Sequence, residues 1–271
     1  MKFTVLIENS GSEPLHSEHG LSFLIEYRNE KFLLDAGTTD LFLENAKMMN
    51  VSVGDIEKCF LSHGHYDHSG GFARYLSENE NAKLYMMKDA TADYYSMSGE
   101  LHPIGIPSEV IEKHSQRFSF INGITEVQEG IYLIPHSTKE LEKIGERAKL
   151  YQKVDDVLIP DNFAHEMSLV FETEKGLVIF NSCSHGGSKN IIREVMKALP
   201  DKNVYAFIGG LHMKGGEFSE EEIHTLCEEL KKLELNILYT GHCTGEPAME
   251  MLRKYMGQQI KELYTGFTVE L

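Results

Sequence analysis

The sequence predicts a mixed fold of α-helices and β-strands in one domain, from three observations. Short β-branched and aromatic runs alternate with amphipathic helical stretches along 271 residues, a length sufficient for one large core. No internal repeat, low-complexity tract or Pro/Gly/Ser linker interrupts that alternation. Five apolar strands end at a polar or glycine step carrying a metal-competent side chain.

The elements follow from residue pattern. Strands are expected at Lys2–Glu8, Leu21–Tyr27 and Lys31–Asp35, the last two joined through Arg28-Asn29-Glu30 into a hairpin that ends at an acid. Leu41, Phe42, Leu43, Ala46 and Met49 recur at helical spacing within Thr39–Asn50. A short strand at Lys58–Ser62 precedes a helix at Gly71–Glu78. Further on, strands are expected at Met167–Thr173, Leu177–Asn181, Val204–Ile208 and Ile237–Thr240, with helices at Lys189–Leu199, Ser219–Lys232 and Glu246–Met256. The stretch 92–161 holds four of the seven prolines and reads as an irregular insertion or lid, where substrate specificity would reside.

Composition narrows the function. With 26 Lys plus Arg against 42 Asp plus Glu, the formal net charge is −16, a field that repels nucleic acid and anionic membranes. A bound metal can reverse that sign locally and admit a small anionic or phosphorylated molecule, the expected partner. No apolar run spans a bilayer and the N-terminus lacks a signal-peptide pattern, so a cytoplasmic location is expected. The four cysteines, without a C-x-x-C pair, are expected as thiols. The sequence leaves a homo-oligomer open.

Thirteen histidines decide the chemistry. The strand-end segments are Phe32-Leu33-Leu34-Asp35, Cys59-Phe60-Leu61-Ser62-His63, Val178 to His185, Ala206 to His212 and Ile237 to His242. In sheets of this kind the ligand crevice lies beyond the carboxyl ends of strands, so one shared site is expected. His16, His102, His114, His136 and His224 lack this context and are expected to be ordinary packing or surface residues. The densest cluster is His63-Gly64-His65-Tyr66-Asp67-His68. Its imidazoles and carboxylate suit zinc, manganese or iron(II), and four donors within six residues exceed what one open catalytic ion takes. Two divalent ions are therefore expected, zinc first, with manganese, iron or magnesium as alternatives. Asp35 is expected behind the ligands, holding the other N–H of a liganding imidazole.

This H-x-H-x-D-H loop, with the hairpin Gly20 to Ile25 and Leu33-Leu34-Asp35-Ala36-Gly37, resembles the metallo-β-lactamase fold superfamily over nearly the whole chain. The resemblance implies an α+β fold, a four-layer αβ/βα sandwich with a dinuclear site at one edge of its two sheets. It implies that His63 and His65 hold one metal, that Asp67 and His68 hold the second, and that His242 is the last histidine ligand. The superfamily's third histidine lies in a Gly-His step that this chain lacks; His165 is a candidate, and His185 is read as replacing the missing ligand. Ser182-Cys183 stands where a bridging Asp is usual, which leaves a Cys183 thiolate as an open candidate. The segments Cys183-Ser184-His185, Gly209-Gly210-Leu211-His212 and Thr240 to Gly245 are similar to a narrower branch, the archaeal dihydropterin-aminobenzene-ribose-phosphate synthase group of methanopterin biosynthesis.

Two activities are thereby expected. As a hydrolase, the chain would activate water at a phosphoester or acyl centre, with Asp67 orienting it or taking its proton and His212 contacting a phosphate or oxyanion. As a pterin transferase, it would stabilise a leaving diphosphate, and Tyr94 or Tyr95 would stack on the ring. An iron redox enzyme fits less well, because the motif's second position is then usually Glu and here is His65. A non-catalytic binding module would leave the clustered ligands without purpose.

Overall fold

Strict alternation of buried side chains sets the layers. Phe23 and Ile25 of the strand Ser22–Tyr27 face one hydrophobic cluster while Leu24 faces another; Phe32 and Leu34 of Glu30–Leu34 divide from Leu33 in the same way. Leu169 and Phe171 of Met167–Thr173 share the first cluster with Phe23 and Ile25, whereas Val170 turns to a third. Both sheets are thus buried on both faces, which requires four layers. Each fully buried Leu or Phe contributes roughly 1.5–3 kcal/mol to that arrangement.

The structure is a computed structural model that describes residues 1–214 and 218–271. One seven-stranded sheet runs Thr268–Glu270, Lys2–Ile7, Ser22–Tyr27, Glu30–Leu34, Lys58–Phe60, Lys83–Met87 and Phe118–Ile121. The other runs Ile260–Glu262, Ile237–Thr240, Val204–Ile208, Gly176–Phe180, Met167–Thr173, Ile131–Pro135 and Thr125–Gln128. Helices Leu41–Met48, Phe72–Glu78 and Ser108–His114 cover the first sheet; Ser188–Ala198, Glu220–Lys232 and Glu246–Met256 cover the second. The longest, Glu220–Lys232, starts at a capping box formed by Ser219 and Glu222 and carries acids in its first turn and lysines in its last.

The hairpin forms as expected: Tyr27 pairs with Glu30, and the two residues between, Arg28 and Asn29, have φ of 49° and 65°, the signature of a tight two-residue turn. The expectation of one insertion over 92–161 needs correction. Phe118–Ile121 closes the edge of the first sheet, and Thr125–Gln128 with Ile131–Pro135 closes the edge of the second. What is added is a four-stranded antiparallel sheet, Val157–Pro160, Leu150–Val154, Tyr94–Ser96 and His102–Pro103, with helix Glu142–Ala148 and a small core around Tyr94, Leu150 and Phe163. Prolines at or beside the strand ends and strands of two to five residues hide this regularity from a pattern reading.

Candidate metal centre

Parallel pairing aims the strand ends at one place. Glu30–Leu34 runs parallel to Lys58–Phe60, and Gly176–Phe180, Val204–Ile208 and Ile237–Thr240 run parallel to one another. Just past these strands Asp35, Ser184, His212 and His242 adopt φ between 49° and 60°. Non-glycine residues pay conformational strain there, and such strain concentrates at functional sites. Gly209, at φ 140°, is required where it stands, because a Cβ would lie 1.9 Å from the Asn181 carbonyl oxygen. Gly64, inside the histidine loop, is pressed on Ala90, whose carbonyl oxygen would lie 2.4 Å from a Cβ.

Four imidazoles are held by the nitrogen that faces away from the centre. Ser62 Oγ gives its proton to Asp35 Oδ2 at 2.7 Å, so it accepts from His63 Nδ1 at 2.8 Å. His68 Nδ1 donates to Asp35 Oδ2 at 2.8 Å, His185 Nδ1 to Glu166 Oε1 at 2.9 Å, and His242 Nδ1 to Asn9 Oδ1 at 3.0 Å. The network thereby leaves the Nε2 lone pair of each ring directed inward. Asp35 serves four donors at once, since Ser182 Oγ also reaches its Oδ2 at 2.6 Å, and Ser62 N donates to its Oδ1. The expected role for Asp35 is the one it fills toward His68.

The inward atoms converge. His63, Cys183 and His185 place ligand atoms within 4.8 Å of one another, as do His68, Cys183 and His242, and also His19, Asp67 and His242. Cys183 belongs to two of these groups, its Sγ 3.2 Å from His68 Nε2. His65 completes the wall on the side of His63 and His185, with ring centroids 4.6 and 5.0 Å away. His63 Nε2 and His65 Nε2 are buried without a hydrogen-bond partner. Orphaned buried nitrogens are costly unless something binds them. Imidazole, carboxylate and thiol donors so arranged fit divalent transition-metal ions.

Electrostatics agree with that fit. Burial, and after it the neighbouring imidazoles, pushes His63 and His65 well below the ordinary histidine range, which keeps their lone pairs free. Burial also opposes charge on His68, yet Asp67 and Asp35 outweigh it and raise this histidine to about 10. Two buried carboxylates here favour positive charge, whether an imidazolium or a cation supplies it. Burial would raise Asp67, but the charge of His68 and the close approach of His242 and His68, each with Nε2 3.4 Å from Oδ2, hold it well below the usual carboxylate range. His212 is lowered by burial, then by His185, to about 3; its ring lies 4.5 Å from that of His185 at the wall of a polar cavity of about 170 Å³.

All the residues singled out from sequence, His63, His65, Asp67, His68, His185, His212 and His242, meet in this region. His165 does not offer a free nitrogen. Its Nδ1 accepts from Gly64 N at 2.9 Å and its Nε2 donates to Asp161 at 2.9 Å, so it braces the loop. Tyr94 is buried and packs on His165 with centroids 4.0 Å apart, ordinary packing rather than the ring stacking that a pterin transferase would ask of it. Three residues escaped the sequence reading. His19, half-exposed, lies 3.3 Å from Asp67 Oδ2 and stacks on His242. Glu166 carries His185. His136, expected to be an ordinary residue, is clamped between Glu166 at 2.5 Å and Glu194 at 2.9 Å. His19 and Glu166 do not follow a strand end, the signal the reading used; His136 does, directly after Ile131–Pro135, but that strand fell in the stretch read as irregular.

The relatives have the same architecture. A profile of the metallo-beta-lactamase superfamily matches residues 18–138. The 7,8-dihydropterin-6-methyl-4-(beta-D-ribofuranosyl)-aminobenzene-5'-phosphate synthase of Methanocaldococcus jannaschii is 31% identical over 94% of this chain and 90% of its own length. The chain belongs to the metallo-beta-lactamase superfamily. Within it, the chain resembles the branch of that synthase. An uncharacterized protein of the same organism is 30% identical, covering 92% of each chain. A crystal structure of a metal-dependent hydrolase of the beta-lactamase superfamily superposes with a TM-score of 0.86 at 28% identity, over 100% of this chain and 99% of that one. Superfamily membership and a synthase as relative indicate an enzyme, and an enzyme of this fold takes a small-molecule substrate. Members of this superfamily typically bind divalent metals. No helix among the described residues is long and apolar enough to cross a membrane.

Proposed function

We propose that the chain is a hydrolase-like enzyme with a dinuclear divalent-metal site, acting on a phosphoester or acyl group of a small anionic molecule. The observation that carries this reading is the pair of buried, partnerless Nε2 atoms of His63 and His65, beside inward lone pairs of His68, His185 and His242. His63, His65 and His185 would hold one ion and Asp67, His68 and His242 the other, with Cys183 between them. Zinc suits this donor set best. Two ions there supply Lewis-acid polarisation of the electrophile and acidify water.

The protein's own groups do the rest. Asp67, held ionised, presents Oδ2 to the polar cavity, where it orients the attacking water and accepts its proton. His212, neutral and on the cavity wall, contacts the phosphate or oxyanion. Asp35, Glu166 and Asn9 fix ring orientation, so the ligands need no reorganisation on binding.

The synthase relative supports a second reading, transfer of a dihydropterin-methyl group from its diphosphate to an aminobenzene ribose phosphate, the joined compound being the one in that relative's name. The same ligands would then stabilise a leaving diphosphate. Elemental analysis of protein purified without added metal tests the common core: about two equivalents per chain are expected, and well under one would overturn the dinuclear assignment. Product analysis with a phosphoester, with and without an aminobenzene acceptor, separates hydrolysis from transfer.

A further inference from the structure

Behind the histidine cluster lies a second cavity of about 240 Å³. His185 and His212 line both this chamber and the polar cavity, so the two spaces share a wall made of site residues. Much of the remaining wall is apolar, from Phe163, Leu211, Met213, Phe218, Leu226 and Ile144, with Arg147, Lys189 and Glu222 among the polar residues that complete it. Phe163 stacks on His185 with planes 13° apart and centroids at 4.9 Å, so the chamber begins directly on the back of that ring.

Most polar side chains of the lining are already engaged, Ser188 and Lys189 excepted. Ser184 Oγ donates to the Gly210 carbonyl at 2.7 Å, and Asn190 Nδ2 donates to the Gly186 carbonyl at 2.8 Å. The Glu222 carboxylate is taken by Arg147 and by the Ser219 cap, while the Arg147 guanidinium lies over the Phe218 ring at 4.4 Å. That rim is therefore preformed. A group with hydrogen-bonding edges all round would lose hydration against the apolar part of this wall, an unfavourable exchange. A hydrocarbon ring loses nothing of the kind, and two phenylalanine faces and a methionine thioether are good partners for it.

We propose that this chamber is the subsite for an aryl group of the substrate, joined to the anionic centre that reacts at the histidine cluster. The assignment rests on the reading of that cluster as the reaction site. It places the specificity of the enzyme in Phe163, Met213, Phe218 and Leu226 rather than in the small four-stranded sheet.

Binding of two phosphonates that differ only in the organic group tests it. Calorimetry on zinc-loaded protein is expected to show phenylphosphonate binding roughly tenfold or more tighter than methylphosphonate, the gain from burying one ring. Leu226→Trp, which fills the chamber, should bring the ratio close to one. Ala148→Leu narrows the chamber from another wall and should act in the same direction, which covers misfolding of the tryptophan variant. Equal affinities in the wild type, or a preference that survives both substitutions, would overturn the aryl subsite alone. Failure of either phosphonate to bind zinc-loaded protein would overturn the reaction-site reading, and the subsite with it.

Discussion

Asp35 Oδ2 accepts a 2.8 Å hydrogen bond from His68 Nδ1 across 33 residues of sequence, and by doing so determines which nitrogen of His68 faces the centre. The same oxygen also holds Ser62 and Ser182, so a single carboxylate ties together loops from both sheets. Asp35→Asn keeps the shape but puts an amide donor or a weaker acceptor opposite three donors. Metal affinity is expected to fall roughly 10–100-fold, as is usual when the group behind a liganding histidine is lost. Competition with a chromophoric chelator measures it, and unchanged affinity would show that Asp35 does not govern His68.

The ligands themselves should separate function from folding. His65→Ala and Asp67→Ala remove one inward donor each from a rim that is already lined by other side chains. Both variants are expected to retain the wild-type circular dichroism spectrum and to lose metal-dependent turnover. Full turnover in either one would remove it from the assignment.

How much of this was readable in the sequence depends on whether a residue's role follows from its neighbours along the chain. The strand ends were readable, because apolar runs terminating at Asp35, His63, His185, His212 and His242 report local pattern, and parallel pairing then brings them together. That pattern singled out His185 and left His165 only a candidate. The difference lies in whether Gly64 N–H and Asp161 occupy the ring nitrogens, a tertiary fact. His19 and Glu166 were missed for the same reason, since each reaches the site from a loop or a strand start, and His136 was missed because the strand it follows, Ile131–Pro135, was not recognised. The small sheet was hidden by strands too short to show alternation.

That distinction gives a prediction for His165. Its lone pair is spent on Gly64 N–H, so His165→Asn should leave metal stoichiometry unchanged and lower stability through the loosened loop. His185→Ala should instead reduce the metal content of the protein. Elemental analysis of the two variants side by side decides, and loss of an ion from His165→Asn would reverse the roles.

Cys183 stands where the superfamily pattern has a bridging carboxylate, between the His63/His185 and His68/His242 groups. If its position matters more than its sulfur, Cys183→Asp should hold both ions, whereas Cys183→Ala should lower the content toward one. Equal metal content in all three proteins would mean that the thiol lies beside the ions without binding them.

His136 links the site to global stability. Burial disfavours its charge, but hydrogen bonds to Glu166 and Glu194 outweigh that and raise it to about 10, while both glutamates are lowered. A histidine raised above its unfolded value of about 6.5 stabilises the fold fully below that pH and loses the contribution as pH climbs through about 10. The lowered glutamates act oppositely, contributing above their unfolded value of about 4.3 and losing that contribution in acid. Urea unfolding of the wild type should therefore weaken between pH 7 and pH 10.5. His136→Gln leaves two buried carboxylates without their cation, which costs roughly 3–5 kcal/mol near neutrality, and it should flatten the alkaline limb. A variant as stable as the wild type at pH 7, with the alkaline decline intact, would show that the His136 ion pair does not support the wall that carries His185.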